Sequence, residues 1–312
     1  MVPKNIYRAL NIGLYVFVAC ALLYFVARWS YTEGFQTSAE QSGVSYPLCF
    51  LTVAPQEEYL DFLLKMTNTQ PVFVVCDSNE YVPPQQIKSK DYSAIIITEK
   101  DAPTIKPVSP NTIYFVKIAD EVCGKNGFLN TNNAITKSPS AWDKALYYFC
   151  MKNHTDYVWF IEEDVFVPRP TIFDEINAKY PTTDLVTKQH VLEKDDPGFY
   201  WWFDGEGRMD RPYYRSLVCA SRVSRKLLNL VGKMAQEKHT VCFLEILFSS
   251  LAHNNGLTIE QIPELQSIIF RHSWTKDTVH MNGLFHPVKN VAEHTKFRTY
   301  LESKTNRGQI LG

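Results

Sequence analysis

The chain has 312 residues, with 45% hydrophobic and 21% charged side chains and a formal net charge of −1. Its 32 basic and 33 acidic residues are dispersed, so no broad basic footprint for nucleic acid exists. No internal repeat or low-complexity block interrupts it, and the length beyond the N-terminal segment suffices for one substantial core or two closely joined lobes.

Residues 9–27 carry no charge and include Leu10, Ile12, Leu14, Val16, Phe17, Val18, Leu22, Leu23, Phe25 and Val26, bracketed by Arg8 and Arg28. Roughly 20 apolar residues in a helix cross the hydrocarbon core, so this segment predicts a membrane signal anchor. A cleaved signal peptide is the competing reading, but residues 25–31 lack a small-x-small exit and the apolar run is long for one. Lys4 and Arg8 precede the span, whereas Arg28 and Glu33 follow it. That bias predicts a short cytoplasmic N-terminus (1–8) and a type II orientation with the body lumenal or exterior. The triplet Asn153-His154-Thr155 is a glycan-acceptor pattern compatible with that orientation. Residues 28–46 turn polar, with Gly34 and Gly43, and read as a stem. Cys49, Cys76, Cys123, Cys150, Cys219 and Cys242 lie beyond the anchor at spacings that fit no compact zinc framework and reveal no pairing. Oligomeric state is not legible.

The body from residue 47 alternates apolar runs with helical patterns. Residues 48–53 predict a first strand, and 57–66 a helix that turns Tyr59, Phe62, Leu63 and Met66 to a sheet. Residues 72–76 predict a second strand ending at Asp77; 94–98 and 113–116 add two more, and 140–150 another helix. Such alternation predicts an α/β fold with a mostly parallel, Rossmann-related central sheet flanked by helices. An acid such as Asp77, just past an early strand, can accept hydrogen bonds from a nucleoside base or ribose; an exposed strand-end acid is the plainer alternative. No Gly-x-Gly-x-x-Gly follows the first strand and no Walker-type loop exists, which weakens dehydrogenase and P-loop readings.

The densest signal is Tyr157-Val158-Trp159-Phe160-Ile161-Glu162-Glu163-Asp164-Val165-Phe166-Val167. An apolar strand there ends in three adjacent carboxylates. At a strand exit those acids can hold a divalent ion against a phosphorylated ligand, since hard oxygen donors suit Mg²⁺ or Mn²⁺. Glu162 and Asp164, two apart, share a face of an extended chain, while Glu163 points elsewhere. Asp164 is the leading metal-ligand candidate and Glu162 its support. A solvated acidic turn is the alternative.

This arrangement resembles the GT-A class of nucleotide-sugar-dependent glycosyltransferases, whose Asp-x-Asp or acidic variant sits at a strand end. The resemblance spans about 47–290 and rests on a few local motifs. It implies a catalytic domain over 47–292, a nucleotide-diphosphate sugar donor (UDP by default), Mn²⁺ or Mg²⁺, a saccharide acceptor, and an ER or Golgi location for a eukaryotic chain.

In Tyr200-Trp201-Trp202-Phe203-Asp204-Gly205, Trp201 or Trp202 could stack on a sugar while Asp204 holds a hydroxyl; a core-facing aromatic edge followed by a turn competes equally. Glu245 stands alone in the apolar run 240–248, where an unpaired buried acid is costly. The resemblance implies that such an acid deprotonates the acceptor in an inverting transfer; a structural ion pair and a solvent-exposed carboxylate are the other readings. In Gly283-Leu284-Phe285-His286-Pro287-Val288-Lys289, His286 can join the metal and Lys289 can neutralise diphosphate, as in the C-terminal His segment of many GT-A enzymes. Lys144 stands outside this primary set, and residues 293–312 read as a polar tail. A retaining transferase, a carbohydrate-binding protein on an inactive transferase fold, and nucleotide-sugar synthesis are the competing functions.

Overall fold

A computed structural model describes residues 44–101, 109–132 and 138–310, with side chains described to residue 305. The expected cytoplasmic segment 1–8, the anchor 9–27 and nearly all of the stem 28–46 lie outside the described residues. Among the described residues no helix is long and apolar enough to cross a membrane.

The chain runs β1 (Leu48–Thr52), α1 (Glu57–Met66), β2 (Val72–Cys76), a small hairpin of β3 (Gln86–Ile87) and β4 (Lys90–Asp91), β5 (Ser93–Thr98) and β6 (Thr112–Lys117). It continues with α2 (Asp120–Lys125), α3 (Ala141–Met151), β7 (Tyr157–Glu162), α4 (Ile172–Lys179) and β8 (Leu185–Thr187). Then follow β9 (Val191–Leu192), β10 (Tyr214–Arg215), β11 (Ala220–Ser224), α5 (Arg225–Lys238), α6 (Leu244–Asn254), β12 (Ile259–Gln261) and α7 (Val291–Ile310).

Eight strands form one sheet in the order β12-β8-β11-β7-β1-β2-β6-β5. From β5 to β7 all neighbours are parallel. β11 alone is antiparallel to both of its neighbours, and β12 is parallel to β8. The predicted α/β class with a mostly parallel sheet is what the chain adopts.

The central strands are apolar along their whole length because both faces are covered. Cys49 and Leu51 of β1 point into one core with α3, α5 and α6. Leu48 and Phe50 point into the other with α1 and α4. Helix α3 starts at Ser140, whose hydroxyl accepts from the Asp143 amide while Asp143 reaches back to the Ser140 amide at 2.9 Å. That reciprocal cap satisfies two otherwise orphaned donors at the edge of the sheet where strands β1, β2 and β7 end.

One expectation is corrected. The stretch read as a polar tail from 293 belongs to α7, which buries His294, Phe297, Arg298 and Leu301. It packs Phe297 and Leu301 against Phe166, Phe285 and Val288. Asn153 is fully buried; its amide donates to the Tyr148 hydroxyl at 3.3 Å and its Oδ1 accepts from the Thr155 amide at 2.9 Å. The Asn153-His154-Thr155 triplet therefore builds a turn and presents no accessible acceptor for a glycan in the folded chain. All six described cysteines are free thiols.

Candidate functional site

Strand β7 delivers its acids to the C-terminal edge of the parallel sheet, where topology leaves room between strand ends. The Glu163 amide bonds the Leu51 carbonyl (2.9 Å) and the Glu162 amide bonds the Cys219 carbonyl (2.8 Å), so the acidic exit is clamped between β1 and the start of β11. A cleft of about 330 Å³ opens there, lined by Thr52, Asp77, Trp142, Glu162, Glu163, Asp164 and Lys289 among others.

The C-terminal motif docks on this exit through an antiparallel bridge between Phe166 and Phe285. The Val288 amide then bonds the Asp164 carbonyl at 2.7 Å. This pairing carries His286 and Lys289 to the acids across more than a hundred residues of chain. His286 Nε2 lies 3.4 Å from Asp164 Oδ1 and 4.0 Å from Glu162 Oε2, and Lys289 Nζ lies 2.5 Å from Asp164 Oδ2. His286 Nδ1 sits 2.8 Å from the Ile269 carbonyl, which accepts but cannot donate. Nδ1 therefore carries a proton, and Nε2 is the ring nitrogen that faces the carboxylates, donating to Asp164 when protonated and open to a cation when not.

Electrostatics follow this geometry. Burial pushes Asp164 up, yet the hydrogen bonds and charges of His286 and Lys289 outweigh it and hold the carboxyl down at about 2. Burial would lower His286, but Asp164, with Glu162 behind it, raises it above its ordinary value. The bond to Asp164 likewise raises Lys289. Glu163 turns away to accept from the Thr52 hydroxyl at 2.6 Å, and burial raises it.

Glu245 occupies the first turn of α6, with Arg215 Nη1 4.0 Å from its carboxylate. Burial raises it to about 7, tempered by the Arg215 charge; Glu162 adds to the rise and His286 opposes it. Glu245 thus feels the same carboxylate–imidazole group and joins its electrostatic neighbourhood, although it does not line the cleft.

Asp77 lines the cleft, with Oδ1 accepting from the Ala141 amide at 2.6 Å. Lys144, fully buried, donates to the Asp77 carbonyl, reaches Asn79 Oδ1 at 3.3 Å and pairs with Asp120 at 3.0 Å. Its place is behind the Asp77 loop, which it anchors.

Trp201, Trp202 and Asp204 are not brought to this cleft. Asp204 is 4% exposed and its carboxylate is engaged by Arg208, Asn130 and the Phe243 amide, which lies 2.5 Å away. An acid so enclosed braces the entry to α6, and the expectation that it holds an acceptor hydroxyl is corrected accordingly. Trp202 is buried and donates to the Asp196 carbonyl at 2.8 Å; Trp201 is half-buried against Phe243. The exposed aromatics of that turn are Tyr200 (72%) and Phe203 (49%), which sequence reasoning passed over. Asp196, just before the turn, binds Arg215 at 2.6 Å, and Arg215 in turn faces Glu245.

Three further participants had no sequence signal of their own. Trp142 Nε1 donates to Glu162 Oε1 at 2.8 Å. Arg215 faces Glu245. The ligand atoms of Glu162, Cys219 and His286 lie within 4.8 Å of one another. An imidazole nitrogen, a carboxylate and a thiol so placed form a donor set that fits a divalent cation, with Asp164 beside it at 3.4 Å from His286 Nε2. Comparison with models of known protein families gives no match, and comparison with curated proteins finds no relative.

Proposed function

We propose that this chain is a GT-A-type glycosyltransferase that uses a divalent metal, Mn²⁺ or Mg²⁺, to move a sugar from a nucleotide-diphosphate sugar to a glycan hydroxyl. The observation that carries the reading is the meeting of His286 and Lys289 with Asp164 and Glu162 at the C-terminal edge of a parallel sheet, where Asp164, Glu162 and Lys289 line one cleft and His286 lies buried behind the acids. Open α/β sheets bind ligands at that edge.

Asp164 and His286 would hold the cation, which neutralises charge on the diphosphate oxygens when bound. Lys289, largely solvent-exposed, is free to follow the diphosphate and offset charge on the leaving group. Asp77 and Glu163 lie in the same cleft, suited to accept from ribose or base hydrogen-bond donors. Glu245 takes the acceptor hydroxyl proton as the acceptor oxygen bonds the anomeric carbon and the bond to diphosphate breaks. A carboxyl raised to about 7 is suited to that task near neutrality. Inversion follows if acceptor and leaving group occupy opposite faces of the sugar. UDP is the default nucleotide by class resemblance, and the anchor at 9–27 would hold the domain on the lumenal side of an ER or Golgi membrane.

The test is a donor and acceptor screen with anomeric analysis of the product, run beside D164N. We expect metal-dependent turnover with inversion, reduced by two orders of magnitude or so in D164N with the fold intact. Normal metal-dependent turnover in D164N would sink the assignment, and pyrophosphate release from a nucleoside triphosphate and sugar phosphate would replace it with nucleotide-sugar synthesis.

A further inference from the structure

Cys219 immediately precedes β11, which in the eight-stranded sheet runs antiparallel to both of its neighbours. That reversal sets the thiol beside the acidic exit of β7, with its backbone carbonyl bound to the Glu162 amide at 2.8 Å. Cys219 is buried, and its Sγ, a Glu162 carboxylate oxygen and a His286 ring nitrogen all lie within 4.8 Å of one another. With bonds of about 2.3 Å to sulfur and about 2.0–2.2 Å to nitrogen and oxygen, donors around a tetrahedral ion stand roughly 3.3–3.6 Å apart. Side-chain rotation closes the remaining gap. Because His286 Nδ1 is held by the Ile269 carbonyl, Nε2 is the ring atom offered to this group.

We propose that Cys219 is a ligand of the metal site, completing a Glu162–Cys219–His286 donor set that selects Zn²⁺ or Co²⁺ over Mg²⁺. The inference rests on the metal-dependent reading above and narrows its cation, since thiolate donors favour softer ions whereas Mg²⁺ demands oxygen. Binding breaks the Cys219 S–H bond, forms a sulfur–metal bond and releases one proton to solvent; nothing is oxidised or reduced. Asp164, 3.4 Å from His286 Nε2, is placed to supply a fourth donor. Two carboxylates and a thiolate then carry three negative charges against the dication, leaving one in excess once the cation displaces the Lys289 ammonium from Asp164.

The experiment is optical titration of the full chain with Co²⁺, with and without a nucleoside diphosphate. A sulfur-to-cobalt charge-transfer band that disappears in C219S and survives in C242S is expected. Zn²⁺ binding should weaken roughly tenfold or more in C219S, with Mg²⁺ binding changed less than about twofold. Zinc absorption-edge spectroscopy on the unmodified chain needs no variant to fold, and should find one sulfur neighbour at about 2.3 Å. Stoichiometric Co²⁺ uptake without a sulfur band, or a band that persists in C219S, overturns the role of Cys219 and leaves the metal-dependent reading standing. A chain that takes up none of Zn²⁺, Co²⁺ or Mn²⁺ overturns both.

Discussion

The indole nitrogen of Trp142 donates to Oε1 of Glu162 at 2.8 Å, joining the first turn of α3 to the acidic end of β7. Trp142 is buried against Phe160 and Phe248, so its ring is fixed by apolar packing before its N–H is spent on the carboxylate. One carboxylate oxygen is thereby committed, and the other faces His286. Orientation of this kind separates an acid poised for a ligand from one drifting in solvent.

W142F should retain most of the packing while removing the donor. We expect a stability loss of about 1–2 kcal/mol and a several-fold drop in cation affinity. Denaturant melts and calorimetric titration separate the two. An unchanged affinity in a stably folded W142F would mean that Glu162 needs no help in facing the cation.

Glu245 gives the chain a pH signature whose sign is unusual for a carboxylate. Its folded-state value is raised to about 7, chiefly by burial, against an ordinary value of 4.5. Between these limits the folded chain binds more protons than the unfolded one, so stability falls as pH rises through the window. The penalty is absent below pH 4.5 and complete above 7, where it reaches on the order of 3 kcal/mol. E245Q should therefore match the parent in thermal melts under acid conditions and exceed it in mild alkali. In transfer assays the parent should show a rate limb rising around neutrality, with E245Q slower by roughly 10²–10⁴ and lacking that limb. Equal stability of both chains in alkali would show that burial does not tax this acid.

How much of this was readable beforehand follows from which contacts are local. The apolar runs of β1, β2 and β7 and the acids at the β7 exit announce themselves because a strand's pattern lies in consecutive residues. His286 and Lys289 are legible from their own heptapeptide. Cys219, Arg215 and Trp142 are not, because each reaches the site through a strand reversal or a helix docked from elsewhere in the chain. Asp204 misleads for a related reason. Its neighbours Gly205 and Gly207 suggest an open turn, but a Cβ on Gly205 would stand 3.0 Å from the Tyr213 ring, so that glycine marks close packing. The polar composition of α7 hides the stripe formed by His294, Phe297 and Leu301 for the same reason: its partners, Phe166 and Phe285, are distant in sequence.

Lys144 tests whether the Asp77 loop must be held from behind. K144M keeps the length of the side chain but strips the Asp77 carbonyl and Asp120 of their buried partner. The expected cost is about 1–3 kcal/mol, together with a raised KM for the donor at nearly constant kcat. Denaturation and steady-state kinetics check the two halves, and a donor KM equal to the parent's would detach Asp77 from donor binding.

Lys289 and the cation compete for the same carboxylate, which leads to a prediction with opposite signs for two ligands. Lys289 is 78% exposed, so its bond to Asp164 is screened by water and contributes little to stability. It nonetheless neutralises Asp164 Oδ2, an oxygen the cation would otherwise use. K289M should therefore bind divalent ion more tightly, about two- to fivefold, in the absence of nucleotide, and bind nucleoside diphosphate more weakly, by roughly tenfold. Calorimetry with each ligand alone reads both effects without any turnover. If both affinities fall together, Lys289 supports the cation site and does not vie for it; if neither moves, the ammonium is a surface charge and the diphosphate has no contact with this segment.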